Sequence, residues 1–247
     1  MSDAILVHRQ DAIVHITFNR PEKKNAFTQA MYQRFNQALR DADADSEVAA
    51  VFLHGSGDSF SAGNDLHDFL QLGEVNLDSP AFQLLQTLTE ISVPLVAGVN
   101  GLAIGIGTTL LLHCDLVYAS DKALFCLPFV HLGLVPEAGS SQLLPQLCGR
   151  QRAAELLLLG DTFSAEKAAS IGLVNDVVGA EQLADKLNEV AEQLSRRPRQ
   201  ALRQSKQLLQ MPAESVADRI RREGQIFVKA LNSDAAKAAI AAKLKKK

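Results

Sequence analysis

The sequence predicts an α/β protein, with ββα-type units around a mostly parallel sheet and a helical subdomain after them. Two observations carry this. From Ala4 to Val178, short β-rich runs alternate with stretches of helical periodicity, the pattern of a parallel sheet flanked by helices. Past Gln142 the pattern turns mainly helical. No repeat at a fixed period of about 20–50 residues and no low-complexity linker divides the chain, so residues 1–195 read as one spiral core and 196–247 as a C-terminal helical subdomain.

The elements follow in order. Ala4–His8 and Ala12–Phe18 are β-rich runs separated by the polar Arg9-Gln10-Asp11 turn, a hairpin signal. Asn19-Arg20-Pro21 ends the second strand. From Thr28 onward Met31, Phe35, Ala38, Leu39 and Ala42 recur at helical spacing. Ala49–Leu53 is a short buried strand, and His54–Asp58 is a turn-rich loop leading into Phe60–Asp65. Phe82–Ile91 reads as a helix stopped near Pro94. Strands follow at Pro94–Val99, Leu116–Tyr118 and Leu124–Leu127, with a Gly-rich turn into an apolar helix between the first two. Arg150–Leu159 is a helix ending at Gly160, Ser164 starts a short helix that stops at Gly172, and Leu173–Val178 reads as a last strand. Ala180–Leu194 is an amphipathic helix closed by Arg196-Arg197-Pro198, and two or three further helices fill Arg199–Lys247.

Composition excludes several classes. Of 247 residues, 47% are apolar and 21% charged, ordinary for a soluble globular chain. A net charge of −3 and 5% aromatic residues argue against nucleic-acid binding. No apolar run approaches the roughly 20 residues that span a bilayer, and MSDAILVHRQ lacks a signal-peptide layout. Cys114, Cys126 and Cys148 sit in apolar contexts without metal-like spacing, as expected for buried free thiols in a reducing compartment. The expectation is a cytoplasmic protein with no membrane or nucleic-acid partner.

The informative stretch is Ile91–Leu144. A β-rich run meets Asn100-Gly101 and enters a helix past Gly105 and Gly107, which keep side chains away so that a ligand oxygen can approach the backbone. The same glycines also serve tight turns and helix packing. Between Ala123 and Leu147 a single formally charged residue occurs, Glu137, and an acid alone among apolar residues is costly unless exposed or used.

The segments PLVAGVNGLAIGIG, CDLVYASDKALF and GLVPEAGSSQLL, with NRPEKKNAF at Asn19–Phe27 and FSAGNDL at Phe60–Leu66, resemble the crotonase (enoyl-CoA hydratase/isomerase) superfamily. The resemblance spans roughly residues 5 to 210 and is specific as a set, not piece by piece. It implies the crotonase-like spiral fold, a coenzyme A thioester as substrate with no separate cofactor, and assembly as a homotrimer or dimer of trimers. It further implies an oxyanion hole made by the backbone N–H groups of Asn64 and Ile106. The two positions that carry glutamates in the hydratases hold Thr109 and Phe129 here. In PFVHLGLVPEAGSS the chain instead resembles the Δ3,Δ2-enoyl-CoA isomerases, whose single catalytic glutamate falls at Glu137. The resemblance also makes Ala62, Asn64, Asp65 and Leu66 candidates for holding the adenine through backbone groups, with Lys23 or Lys24 near a phosphate. Gly105 and Phe129 complete the candidate substrate-binding residues.

One acid suffices for moving a double bond from carbon 3 to carbon 2, because the group that takes the C2 proton can return it at C4. Apolar neighbours such as Phe129 and Leu134 would strengthen the proton affinity of Glu137 and exclude water. The alternatives are hydration or thioester hydrolysis of an acyl-CoA, and a non-catalytic binding member of the fold. Other motifs fail. Gly105-Ile106-Gly107 lacks the third glycine of a dinucleotide fingerprint, with Leu110 in its place, and no Walker A or G-x-S-x-G sequence occurs. Ser140 and Ser141 read as helix caps. His113-Cys114-Asp115 and Asp65–Asp68 lack a second cluster to complete a metal site, so no metal is expected. His131 reads as structural rather than as a partner of Glu137. The basic run Arg196, Arg197, Arg199, Arg203 and Lys206 reads as a solvated helix face.

Overall fold

The computed structural model describes residues 3–71 and 76–244. Its strands are β1 (Ile5–Gln10), β2 (Ile13–Phe18), β3 (Ala50–Gly55), β4 (Ser59–Ser61), β5 (Leu95–Val99), β6 (Leu102–Ile104), β7 (Leu116–Ser120), β8 (Leu124–Cys126), β9 (Phe163–Ser164) and β10 (Asp176–Val178). They form two sheets, one ordered β1-β2-β3-β5-β7-β10 and one ordered β4-β6-β8-β9. The larger is parallel apart from the β1–β2 hairpin, whose turn passes through Asp11 at φ 53°. In the smaller, β4, β6 and β8 are parallel and β9 is antiparallel.

The pairs β3–β4, β5–β6 and β7–β8 each give one strand to the large sheet and the next to the small one. Three such steps in succession generate the spiral. The short strands β4 and β6 were expected as a loop and as part of a Gly-rich turn. Three residues are too few to show the alternation by which a strand is read.

Helices fill the connections: α1 (Gln29–Ala44), α2 (Leu66–Gln71), α3 (Pro80–Glu90), α4 (Ile106–Thr109), α5 (Ser140–Cys148), α6 (Arg150–Ala154), α7 (Ala165–Ser170), α8 (Leu183–Ser195), α9 (Arg199–Gln210), α10 (Val216–Leu231) and α11 (Asp234–Leu244). Thr28 caps α1 by accepting from Met31 N, and Ser164 caps α7 through Lys167 N. The buried face of α1 supplies Met31, Tyr32, Phe35 and Leu39 to the main core. There Phe18 meets Phe27, Phe35 and Phe60 edge-on, at centroid distances of 4.8, 5.2 and 5.2 Å. On the other side of the large sheet, Leu183, Leu187 and Val190 of α8 bury against Ile13, Phe52 and Val96. Among the described residues no helix is long and apolar enough to cross a membrane.

The basic run is corrected in part. Arg203 donates to the carboxylate and carbonyl of Asp43 at 2.9 Å, and Lys206, only 3% exposed, reaches Asp115 at 2.8 Å. Asp115 also accepts from Leu95 N at 2.7 Å, so the pair ties α9 to β5. Charge periodicity alone could not show that this face of α9 docks on aspartates more than 90 residues upstream.

Candidate active site

The site is assembled by two close approaches and one turn that needs glycine. First, Asn25, fully buried, donates to the carbonyls of Ser56 and Ser59 and accepts from Arg20 N at 2.8 Å. This folds the Asn19–Phe27 loop onto β4. Phe27 N then donates to Gly63 O, and Asp65 N donates to Phe27 O. Second, Gly63 lies at φ 87°, and a Cβ there would sit 2.7 Å from the Ile104 carbonyl. Only glycine lets Asn64 come this near to the start of α4. Third, Gly105 precedes α4 at φ 55°, ψ −120°, a conformation open mainly to glycine, although the space beside it is free.

Asn64, Ile106 and Glu137 line one cavity of about 360 Å³. Its wall is largely apolar, from Phe69, Phe82, Leu85, Phe129 and Leu134, and Glu137 is the one acid among the described residues that line it. Ile106 is the first residue of α4, so its N–H has no partner within the helix. No acceptor in the described structure pairs with the N–H of either Ile106 or Asn64. The Asn64 side chain is held by the Tyr32 hydroxyl, which donates to Oδ1 at 2.7 Å.

Glu137 sits in an irregular segment before α5. Its carbonyl accepts from Ser140 N at 2.9 Å and from Ser140 Oγ at 2.6 Å. Ser140 therefore ties the turn back to Glu137; the expected side-chain cap is not made. Ala138 follows at φ 54°, a left-handed conformation that costs a non-glycine residue about 1–2 kcal/mol. Burial pushes the Glu137 carboxyl up from about 4.5 to about 7, against the opposing pull of the Thr109 hydroxyl, which donates to Oε1. Burial and the charge of Glu137 hold the Tyr32 phenol well above its usual range. The arrangement offers a base poised near neutrality, two N–H groups unpaired in the described structure and a largely apolar wall.

The remaining candidates are placed as follows. Phe129 lines the cavity with Glu137, whereas Thr109 lies behind the carboxylate, fully buried. Ala62 N donates to Lys24 O, and Leu66 is 51% exposed at the start of α2. The Asp65 carboxylate is engaged by Arg20 at 2.6 Å and by the N–H groups of His67 and Asp68. Lys24 Nζ pairs with Asp58 at 2.5 Å. His131 Nε2 contacts the Leu159 carbonyl at 2.7 Å, not Glu137. No group of three or more possible metal ligands forms among the described residues. His113 and Asp115 turn to different elements, toward Ala138 and Lys206. Sequence reasoning passed over Tyr32 and the contact of Thr109 with the carboxylate. Neither has a local signal: Tyr32 reads as one more apolar-face residue of α1, and Thr109 meets a carboxylate 28 positions away.

Residues 8–247 match the family described as Enoyl-CoA hydratase/isomerase. Enoyl-CoA delta isomerase 2 of Rattus norvegicus is 42% identical over 84% of this chain and 54% of its own length, so the chain spans about half of that relative. The 2,3-dehydroadipyl-CoA hydratase of Escherichia coli (strain K12) is 32% identical over 90% of this chain and 88% of its own. A solved structure from Magnetospirillum magneticum AMB-1 superposes with a TM-score of 0.96 at 42% identity, covering 100% of this chain and 98% of that one.

Proposed function

The chain belongs to the enoyl-CoA hydratase/isomerase family, and on that premise we propose that it moves the double bond of a 3-enoyl-CoA to the 2-position, with Glu137 as the acid/base. The carrying observation is one acid lining the same apolar cavity as Asn64 and Ile106, whose N–H groups have no partner in the described structure. The Glu137 carboxylate takes a proton from C2 of the thioester. The resulting negative charge is spread from the thioester oxygen to C4, and the N–H groups of Asn64 and Ile106 receive the oxygen. The protonated Glu137 then delivers its proton to C4, leaving the double bond between C2 and C3. No water enters the balance, and no cofactor is required.

Hydration needs a second group to hold and activate water. The two positions that would supply it carry Thr109, whose hydroxyl is spent on Glu137, and Phe129. Product analysis tests the choice. The protein should convert a 3-enoyl-CoA into the conjugated thioester, read by its absorbance, and hydrate a 2-enoyl-CoA barely at all. Efficient conversion of the 2-enoyl-CoA to a 3-hydroxyacyl-CoA would refute the isomerase reading.

The Thr109 hydroxyl stabilises the carboxylate form, so its removal makes Glu137 harder to ionise. In Thr109→Val the acidic limb of kcat/KM moves to higher pH, and most of the rate returns in alkaline buffer. A limb that stays in place would show that the hydroxyl does not act on the base.

The proposal includes assembly in threes. Val216, Ile220 and Phe227 on α10 are 76%, 63% and 66% exposed, apolar surface that a second copy would cover. Sedimentation at micromolar concentration should give a multiple of three chains, and a single-chain mass would refute it.

A further inference from the structure

His113 is half-buried at the end of the short 3-10 turn, Leu110–His113, that continues α4. Its Nε2 lies 2.8 Å from the carbonyl oxygen of Ala138, the left-handed residue that follows Glu137. A carbonyl only accepts, so Nε2 carries the hydrogen. Burial lowers the affinity of this imidazole for a second proton, consistent with a neutral ring whose Nε2–H is committed to Ala138. Ile106, Thr109 and His113 are spaced i, i+3, i+7 along one helical stretch. This stretch brings Ile106 to the cavity wall, a hydroxyl to the Glu137 carboxylate and an imidazole to the next carbonyl.

We infer that His113 is a positioning residue for the reaction: through the Ala138 carbonyl it fixes the Glu137–Ala138 turn, so that the carboxylate and the Ile106 N–H keep one spacing. This rests on the reading of Glu137 as the acid/base. Ser140, the first residue of α5, also holds the Glu137 carbonyl, but it lies three residues along the chain and does not tie the turn to α4. His113, like Thr109, belongs to the helical stretch that begins at Ile106, and the two contacts together set the distance between the halves of the site.

The test compares His113→Met, which keeps bulk without a donor, with His113→Gln, whose Nε2 reaches about as far as the imidazole Nε2. In His113→Met, kcat falls about a hundredfold, the scale of a misplacement of roughly 1 Å, with KM little changed. The acidic limb moves to lower pH, because a carboxyl freed from the apolar wall regains solvent. His113→Gln restores most of kcat and the original limb. The inference is overturned if His113→Met keeps wild-type kcat, if it loses activity with the limb unmoved, or if a folded His113→Gln is as slow as His113→Met. Should His113→Met not fold, His113→Leu takes its place in the same comparison with His113→Gln, and the same outcomes decide. Glu137→Gln, assayed alongside, separates the two readings. If it stays active, the acid/base assignment fails; if it is inactive while His113→Met is normal, only the positioning role fails.

Discussion

Glu137→Gln lowers turnover of a 3-enoyl-CoA by at least about 10²-fold, the lower end for loss of a positioned proton-transfer group, and leaves binding of the CoA ester nearly unchanged. Glutamine keeps the shape of the side chain and can still accept from Thr109, but it cannot carry the proton between C2 and C4. In the wild type the active species is the carboxylate, so kcat/KM rises with pH through about 7, where burial has placed the group. The variant has no such limb. A thermodynamic signature accompanies the loss. Below about pH 4.5 the carboxyl is protonated whether the chain is folded or not. As pH rises toward 7 the unfolded chain releases this proton and the folded one holds it, so stability is lost across that window. By about pH 8 the deficit is on the order of 3 kcal/mol. Glu137→Gln, with no proton to lose, should therefore unfold at a higher temperature than wild type at about pH 8 and at nearly the same temperature at about pH 4.5. Equal melting temperatures at both pH values would mean that Glu137 is not held in a dry site.

Ile106→Pro is the second large effect. It removes one N–H from the cavity and should reduce kcat by about 10²–10³-fold. The position tolerates proline as backbone. Ile106 is the first residue of α4, where proline's missing N–H and fixed φ suit a helix start. The preceding Gly105, at φ 55° and ψ −120°, occupies the mirror image of the extended region that a residue before proline favours. Ile106→Leu retains the N–H and a similar buried volume, and it should keep most activity. Circular dichroism and CoA-ester binding establish that the proline variant is folded. Equal turnover in the two variants would remove Ile106 N–H from the oxyanion site.

How much of this was legible depended on how local each signal was. The hairpin, the strand at Ala50–Gly55 and the amphipathic α1 are written in periodicity within a few residues of themselves. Glu137 stood out because nothing else charged lies between Ala123 and Leu147. The donor positions were read from the family resemblance, and only the fold explains the glycines beside them: Gly63 permits contact with the Ile104 carbonyl, and Gly105 a backbone conformation closed to most side chains. The contacts of Thr109 with Glu137 and of His113 with Ala138 join residues 28 and 25 positions apart, and no periodicity encodes them. Lys206 illustrates the reverse error. A lysine on a basic, amphipathic helix reads as solvated until its aspartate, 91 residues upstream, is found beside it. The strands β4, β6 and β9 escaped because pairing within the small sheet, not their own two or three residues, makes them strands.

The central claim is that one carboxyl carries the proton from C2 to C4, and isotope transfer tests it most directly. A 3-enoyl-CoA bearing deuterium at C2 is converted by the wild-type protein in ordinary water, and the 2-enoyl-CoA formed in early turnovers is analysed for label at C4. The account predicts deuterium at C4 well above the solvent level, because Glu137 receives it and holds it in an apolar cavity until it is returned. Product with ordinary hydrogen alone at C4, even in the first turnovers, would contradict a single shuttling glutamate.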